Sequence, residues 1–376
     1  MNTFWKFEKT YPNIFMNCDL DTVENKTFRP FTHYEENDFT DINFRKAAEV
    51  HKLVRNEVRP KLINNAKIKD IVEYTEERIL ELLGHDRKTY FTKKTNSGIA
   101  FPVGVSVNNV IAHDSALLQD ERRIVDGDVV KFDFGVHIEG CIIDSAFTHI
   151  VGANSDTSNE PYNEPYNELL NASKDATYSA IALSGPDARL YEISEIIQEV
   201  ICSYEVPIDY GIRELDIVPV QGLGGHNILP YKVHGGKLIL SVPDESVQEG
   251  LKMDEGEIYA IETYATTGSG TMTQEKDIDL CSHYVVNSEC KAKQFLKKNQ
   301  AYKSVENRNG LPFTLSWCDR SHKKYPKDLA NSLKMGDIQA FPILRDTNVD
   351  AYVSQFEHTI RIRDSCVEIY SLGDDY

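Results

Sequence analysis

The stretch Val129–Thr148, VVKFDFGVHIEGCIIDSAFT, sets two aspartates, Asp133 and Asp144, inside an apolar, β-branched run. Glu139-Gly140 between two apolar arms is the signature of a two-residue hairpin turn. Strand side chains alternate between two faces, so this turn sets Ile138 opposite Cys141, Asp133 opposite Ala146 and Asp144 opposite Gly135. The carboxylates become diagonal neighbours on one face; a four-residue loop would set them directly opposite. In either register their β-carbons stand roughly 5–8 Å apart. Carboxylates that close repel, and three arrangements relieve them: a shared proton, an arginine or lysine clamp, or a metal ion.

Other polar groups interrupt apolar strands further along. Glu262 lies in IYAIETY, on the same alternating face as Ala260 and Tyr264, and Glu357 lies in YVSQFEHTI. His226 follows two glycines, whose bare backbone lets an imidazole approach a neighbour closely. Of the 11 histidines, His113, His226 and His234 have glycine-rich or apolar settings. A hydrogen-bonded core histidine is the alternative reading of each. His33, His51, His85 and His322 stand among polar residues and are expected at the surface. Asp133, Asp144, His226, Glu262 and Glu357 together form a set of four carboxylates and one imidazole. Four negative charges balance two divalent cations, and an oxygen-rich site with one nitrogen suits Mn, Co, Fe or Zn. Two ions about 3.5–4 Å apart share a water, lower its pKa and polarise a carbonyl together. That is the equipment of a hydrolase.

Composition is compatible with such a site. The 376 residues suffice for one large domain or two ordinary ones, and 41% hydrophobic residues can bury a sizeable core. A net charge of −18 argues against general nucleic-acid binding. No run of about 18 apolar residues occurs, so no membrane span is expected. MNTFWKFEKT has no apolar stretch behind basic residues, so no signal peptide is expected. The seven cysteines are scattered and never form CxxC, a pattern that suits a reduced, cytoplasmic protein. The absence of GxGxxG and Walker motifs disfavours nucleotide binding.

Residues 1–38 lack periodicity and read as an N-terminal arm, partly packed through Trp5 and Phe7. From Asp41, an expected N-cap, Phe44, Ala47, Ala48, Val54 and Val58 recur at helical spacing up to Pro60. A second helix over Ile68–Leu83 closes at Gly84. Residues 99–150 are β-rich, and Asn154–Asn167, with its tandem NEPY, reads as a surface loop. Helices follow at 167–184 and 187–204, the second with Leu190, Ile193, Ile196, Ile197 and Val200 on a core stripe. Strands are expected at 257–268 and 351–364. Between them, the charged block 285–340 carries helices at 290–307 and 325–335. The alternation is too irregular for a Rossmann or TIM arrangement.

The segments SGIAFPVGVSVNNVIAHD, KFDFGVHIEGCIIDSAFT, EGEIYAIET, CSHY, QFEH and GDDY, in this order, resemble the type 2 methionine aminopeptidases over residues 40–376. The resemblance implies an α+β "pita-bread" (creatinase/aminopeptidase) fold, a curved antiparallel sheet flanked by helices, within a catalytic domain at 39–376. Residues 285–340 would be the inserted helical subdomain of type 2, since 95 positions separate Glu262 from Glu357. It further implies that Asp133, Asp144, His226, Glu262 and Glu357 hold two divalent metal ions, with Asp144 and Glu357 touching both. Glu262 would be general base to a dimetal-activated hydroxide, and His234 would support the oxyanion. His113 would contact substrate and be the target of fumagillin-type epoxides, while Phe101 and His283 would line the methionine pocket. The implied substrates are N-terminal Met peptides of nascent chains with a small second residue, cleaved by a monomer without nucleic-acid or membrane contacts. The ribosome is a conditional partner, because residues 1–38 lack the lysine- and acid-rich extension of many eukaryotic type 2 enzymes. Two departures are Leu229-Pro230 after the histidine ligand and Gly224 in place of a common asparagine.

Two alternatives share the fold. A non-catalytic pita-bread binding protein would have lost ligands, whereas this chain has all five. A proline-specific aminopeptidase would lack the continuous type 2 motifs and the 285–340 block.

Overall fold

The structure, a computed structural model, describes residues 14–15, 39–91, 93–152, 164–208, 213–287, 306–318 and 325–375. In chain order its principal elements are α1 (Phe39–Val58), α2 (Ile68–Leu82), β1 (Ser97–Ile99), β2 (Gly104–Val107), β3 (Val129–Ile138) and β4 (Cys141–Ile150). Next come α3 (Glu164–Leu183), α4 (Leu190–Cys202), β5 (Gly224–Ile228), β6 (Leu238–Leu240), β7 (Ile258–Thr266) and β8 (His283–Val286). The chain ends with α5 (Tyr325–Met335), β9 (Ile338–Phe341), β10 (Val353–Ile362) and β11 (Val367–Ile369).

The hairpin β3–β4 has the register read from its sequence: Ile138 opposite Cys141, Asp133 opposite Ala146, Gly135 opposite Asp144. Its tip explains why. Glu139 and Gly140 both adopt positive φ, 53° and 84°, the geometry of a two-residue turn whose twist matches the strands. β1 and β2 pair along the other edge of β3. A larger sheet runs β11–β10–β7–β5–β6, with Ile14–Phe15 added beside β11 and Val218–Pro219 beside β7. Every ladder among the described residues is antiparallel.

Each sheet has its own helical cover. Phe44, Ala47, Val54 and Val58 of α1 and Ile71 and Ile79 of α2 share a buried cluster with Phe132, Phe134 and Phe147 of the hairpin. Leu190, Ile193 and Ile197 of α4 bury with Tyr259, Ile261 and Ile360 of β7 and β10. Hydroxyl side chains lace the two sheets together between β4 and β10. Thr359 Oγ1 accepts from the Asp144 N–H (2.8 Å) and donates to the Asp144 carbonyl (2.6 Å). Ser145 Oγ donates to the Glu357 carbonyl (2.7 Å) and Thr148 Oγ1 to the Gln355 carbonyl (2.8 Å). This seam brings the hairpin aspartates beside Glu357.

Three sequence expectations change. Asp41 is not an N-cap: α1 begins at Phe39, and the Asp41 carboxylate takes Arg361, Arg363 and Tyr370 as donors. His51 is not a surface residue. It is fully buried on the core side of α1, stacked on Phe134 with centroids 3.9 Å apart, its Nε2 2.9 Å from the Phe134 carbonyl oxygen. The NEPY loop is shorter than expected, because Glu164 opens α3 and Pro165 sits in its first turn, where a missing N–H costs nothing. Trp5, Phe7, His33, His322 and most of the helix expected at 290–307 lie outside the described residues. α5 occupies the expected residues, and β8 pairs with β9 to close the base of the 285–340 block.

Candidate metal centre

The register of β7 on β10 sets Glu262 opposite Glu357 and Tyr264 opposite Gln355. β5 pairs with the other edge of β7, His226 opposite Ala260. Gly225 permits this approach, since a Cβ there would lie 2.3 Å from the Ala260 carbonyl oxygen. With Asp133 and Asp144 delivered across the seam, all five sequence candidates converge. Ligand atoms of Asp144, His226 and Glu357 lie within 4.8 Å of one another, as do those of Asp133, Glu262 and Glu357. Glu357 belongs to both groups; Asp144 belongs to one.

The electrostatics leave these carboxylates without a protein countercharge. Among the described residues no arginine or lysine pairs with them, and the one ionic neighbour is His226, its Nε2 3.7 Å from Asp144 Oδ2. Lys131, two residues before Asp133, donates from Nζ to the Asn108 carbonyl instead (2.6 Å), and burial holds its amine well below the ordinary lysine range. Burial pushes the Asp133 carboxyl up to about 7. Burial, then the neighbouring Asp133, raises Glu262 to about 8. Asp144 and Glu357 lie well above the carboxylate range, from burial first and then from the charge of Asp133 on Asp144 and of Asp144 on Glu357. Burial holds His226 down to about 4, so its imidazole is neutral. Its Nδ1 faces the Asn227 carbonyl at 3.4 Å, which assigns the proton to Nδ1 and leaves the Nε2 lone pair toward Asp144.

These atoms fit a divalent cation. Among the described residues Asp133 Oδ1 and Glu357 Oε2 are buried with no hydrogen-bond partner, although buried polar atoms are nearly always paired. The other Asp133 oxygen, Oδ2, accepts from Gln355 Nε2 (3.2 Å). Glu262 Oε1 accepts from Gln355 Nε2 and from the Tyr264 hydroxyl, both at 2.6 Å. Outer groups that orient one oxygen and leave its twin bare are the usual surroundings of a metal ligand. Gln355 and Tyr264 were not among the sequence candidates, since an amide or a phenol in a strand carries no signal of its own.

The centre forms the floor of a cleft of about 820 Å³, counted to its open mouth, and Phe101, His113, His234 and His283 line it as well. The His234 ring lies 4.0 Å from that of His226; the repulsion the two rings would feel if both were protonated, then burial, drives His234 well below the ordinary histidine range. His113 takes a left-handed backbone, φ +65°, with Nδ1 3.3 Å from the Pro342 carbonyl oxygen; the proton therefore sits on Nδ1 and Nε2 is free. Next to it, Asp114 is clamped by two Arg122 nitrogens at 2.7 and 2.9 Å, fixing that turn. His283 donates from Nε2 to the Pro102 carbonyl (3.2 Å), and its Nδ1 meets Ser282 Oγ (2.9 Å). Burial and then His113 lower it to about 3, so this wall of the cleft is uncharged. Among the described residues no helix is long and apolar enough to cross a membrane.

Comparison with known proteins agrees with this chemistry. Residues 43–288 match metallopeptidase family M24. The methionine aminopeptidase 2 of Yarrowia lipolytica is 36% identical over 342 residues, which cover 89% of this chain and 66% of that protein. That of Kluyveromyces lactis is 36% identical over 362 residues, covering 95% of this chain and 82% of the relative. The chain thus spans about two thirds of the length of the first relative and more of the second. Among solved structures, that of a thermophilic Arx1 superposes with a TM-score of 0.71 at 19% identity, over 90% of this chain and 91% of the other. At that identity the likeness speaks for the fold alone.

Proposed function

The chain belongs to metallopeptidase family M24, and on that premise we propose that it is a type 2 methionine aminopeptidase, removing the initiator methionine ahead of a small second residue. The observation that carries this reading is the pair of ligand groups sharing Glu357, with no arginine or lysine partner among the described residues, on the floor of a cleft walled by neutral imidazoles and Phe101.

Asp133, Asp144, His226, Glu262 and Glu357 would hold two divalent ions, Mn, Co, Fe or Zn. When bound, the ions supply a Lewis acid for the scissile carbonyl and an activated water as nucleophile. The protein does the rest. Glu262, ionised when a cation is bound, takes the proton of the attacking water and returns it to the departing amine. His234 is neutral and donates a hydrogen bond to the carbonyl oxygen as charge develops there. His113 touches the substrate through its free Nε2, the nitrogen that a fumagillin-type epoxide would alkylate. Phe101 and His283 receive the methionine side chain on an uncharged wall. The same reading places the enzyme in the cytoplasm as a monomer acting on nascent chains, with neither nucleic acid nor membrane as partner.

The test is hydrolysis of Met-Ala-Ser against Xaa-Pro peptides, with each of the four metals. Cleavage of Met-Ala-Ser is expected; a preference for Xaa-Pro, or no cleavage with any metal, overturns the reading.

A further inference from the structure

Tyr264 stands two residues past Glu262 and so on the same face of β7, buried at 3% exposure, and it lines the cleft. Its hydroxyl donates to Glu262 Oε1 at 2.6 Å. Across the ladder, Gln355 Nε2 reaches that same oxygen at 2.6 Å, the Tyr264 oxygen at 3.2 Å and Asp133 Oδ2 at 3.2 Å. An amide nitrogen has two hydrogens, so these three acceptors cannot all be served. The short bond to Glu262 claims one, and the other is divided between Asp133 and Tyr264. The phenol contributes an extra donor where the amide runs short.

From this geometry we propose that Tyr264 is a positioning residue of the metal centre, tying down Oε1 of Glu262 so that the carboxylate presents Oε2 alone to a cation. A carboxylate oxygen that already accepts two charge-assisted hydrogen bonds is a poor third-party ligand, so Glu262 binds through one oxygen. Glu357 has the opposite arrangement, with Oε2 unpartnered and membership of both ligand groups. The cation position to which Glu262 contributes therefore depends on the Tyr264–Gln355 pair for its shape. The inference rests on the proposed peptidase reading for its consequence in turnover, but the metal binding can be measured without a substrate.

Tyr264→Phe removes one oxygen and keeps the ring. Titrated with Co²⁺, the metal-free wild type should take up two ions, and the variant should bind the weaker one about ten- to a hundredfold less tightly. Its visible Co²⁺ absorption should change in intensity and position as Glu262 becomes free to bind through both oxygens. Turnover of Met-Ala-Ser should fall through kcat with KM little altered. Gln355→Met, which removes the other donor on the same oxygen, should shift the spectrum in the same direction, and serves if Tyr264→Phe does not fold. Superimposable titrations and spectra for variant and wild type overturn the proposal. A wild type that binds no divalent ion overturns the proposal and the peptidase reading together. A wild type that binds two ions yet spares Met-Ala-Ser overturns the peptidase reading only, and the titration still decides the role of Tyr264.

Discussion

One strand, β10, carries two opposite solutions to burying carboxylates. At Glu357 it contributes to four acidic side chains that have no arginine or lysine among them in the described structure. Four residues on, Arg361 joins a cluster in which every acid is matched. Asp41 meets Arg361 and Arg363, and Glu368, fully buried, meets Arg363 and Arg45, the last at 3.0 Å. Nearby, Arg55 grips Asp375 through two nitrogens at 2.5 and 2.6 Å. Burial would push Asp375 up, yet the Arg55 guanidinium overrides it and holds the carboxyl below its ordinary range. Asp133 and Glu262, with no such partner, go the other way, to about 7 and about 8. In this cluster, then, the chain matches its buried acids with arginines, whereas the four acids of the centre have no arginine or lysine among the described residues and suit completion by a cation.

Removing an acid should therefore have opposite effects in the two places. Glu357→Gln takes away the carboxylate shared by both ligand groups. It should abolish binding of at least one ion and lower turnover by more than about a hundredfold, since even outer-shell losses reach that size. The metal-free variant should nevertheless melt higher than metal-free wild type, because a group that must hold a proton to stay buried among carboxyls is gone. Metal analysis, peptide hydrolysis and calorimetry of the same sample check all three, and a Glu357→Gln variant with full activity would sink the dimetal reading. Arg55→Ala should do the reverse. It strands a largely buried Asp375, which should cost about 3–5 kcal/mol in denaturant unfolding. Turnover per folded molecule should stay near wild type.

Metal removal sharpens the contrast through pH. Asp133 and Glu262 hold their protons in the folded, metal-free chain up to about 7 and about 8, whereas unfolded carboxyls lose them near 4. Raised carboxyls contribute stability that is present below about 4 and lost as pH rises through 7 and 8. Chelated protein should thus lose melting temperature between pH 5 and pH 8, at about 1.4 kcal/mol per pH unit for each retained proton. Metal-loaded protein, its carboxylates already ionised on the cation, should not. Parallel melting curves for the two forms across that range would break the comparison.

The sequence made the acidic centre legible and the basic cluster illegible, for physical reasons. Strand alternation and a two-residue turn fix register locally, so the neighbourhood of Asp133 and Asp144 followed from a few residues. Glu262 and Glu357 were visible as charges inside apolar runs. Asp41 looked like an N-cap because its partners Arg361 and Arg363 lie some 320 positions away. Gln355, Tyr264 and the hydroxyls of Ser145, Thr148 and Thr359 are unremarkable in a strand until two sheets are brought edge to edge. His51 was misjudged through its neighbours in sequence, Glu49 and Lys52; helical spacing, not adjacency, decides which way a side chain faces.

That misjudged histidine supplies the smallest effect, and one of opposite sign. Burial, then the Arg55 charge, holds His51 neutral down to about 3, while the unfolded side chain takes a proton near 6.5. A depressed histidine costs stability as pH falls: the loss begins near 6.5 and grows until the folded pKa, near 3, is reached. Burial and the Arg55 charge outweigh the groups that favour the protonated ring, which are the backbone of Phe134 and Ser145 and the charge of Asp375. His51→Gln keeps a donor within reach of the Phe134 carbonyl but cannot titrate. Below pH 6.5 the variant should lose stability less steeply than wild type, the slopes differing by about one proton, or about 1.4 kcal/mol per pH unit. Above pH 7 the two should run parallel, the variant displaced downward by the lost stacking on Phe134. Identical acid slopes would mean that the ring is protonated in the fold, and that the hairpin behind Asp133 is less dry than its packing implies.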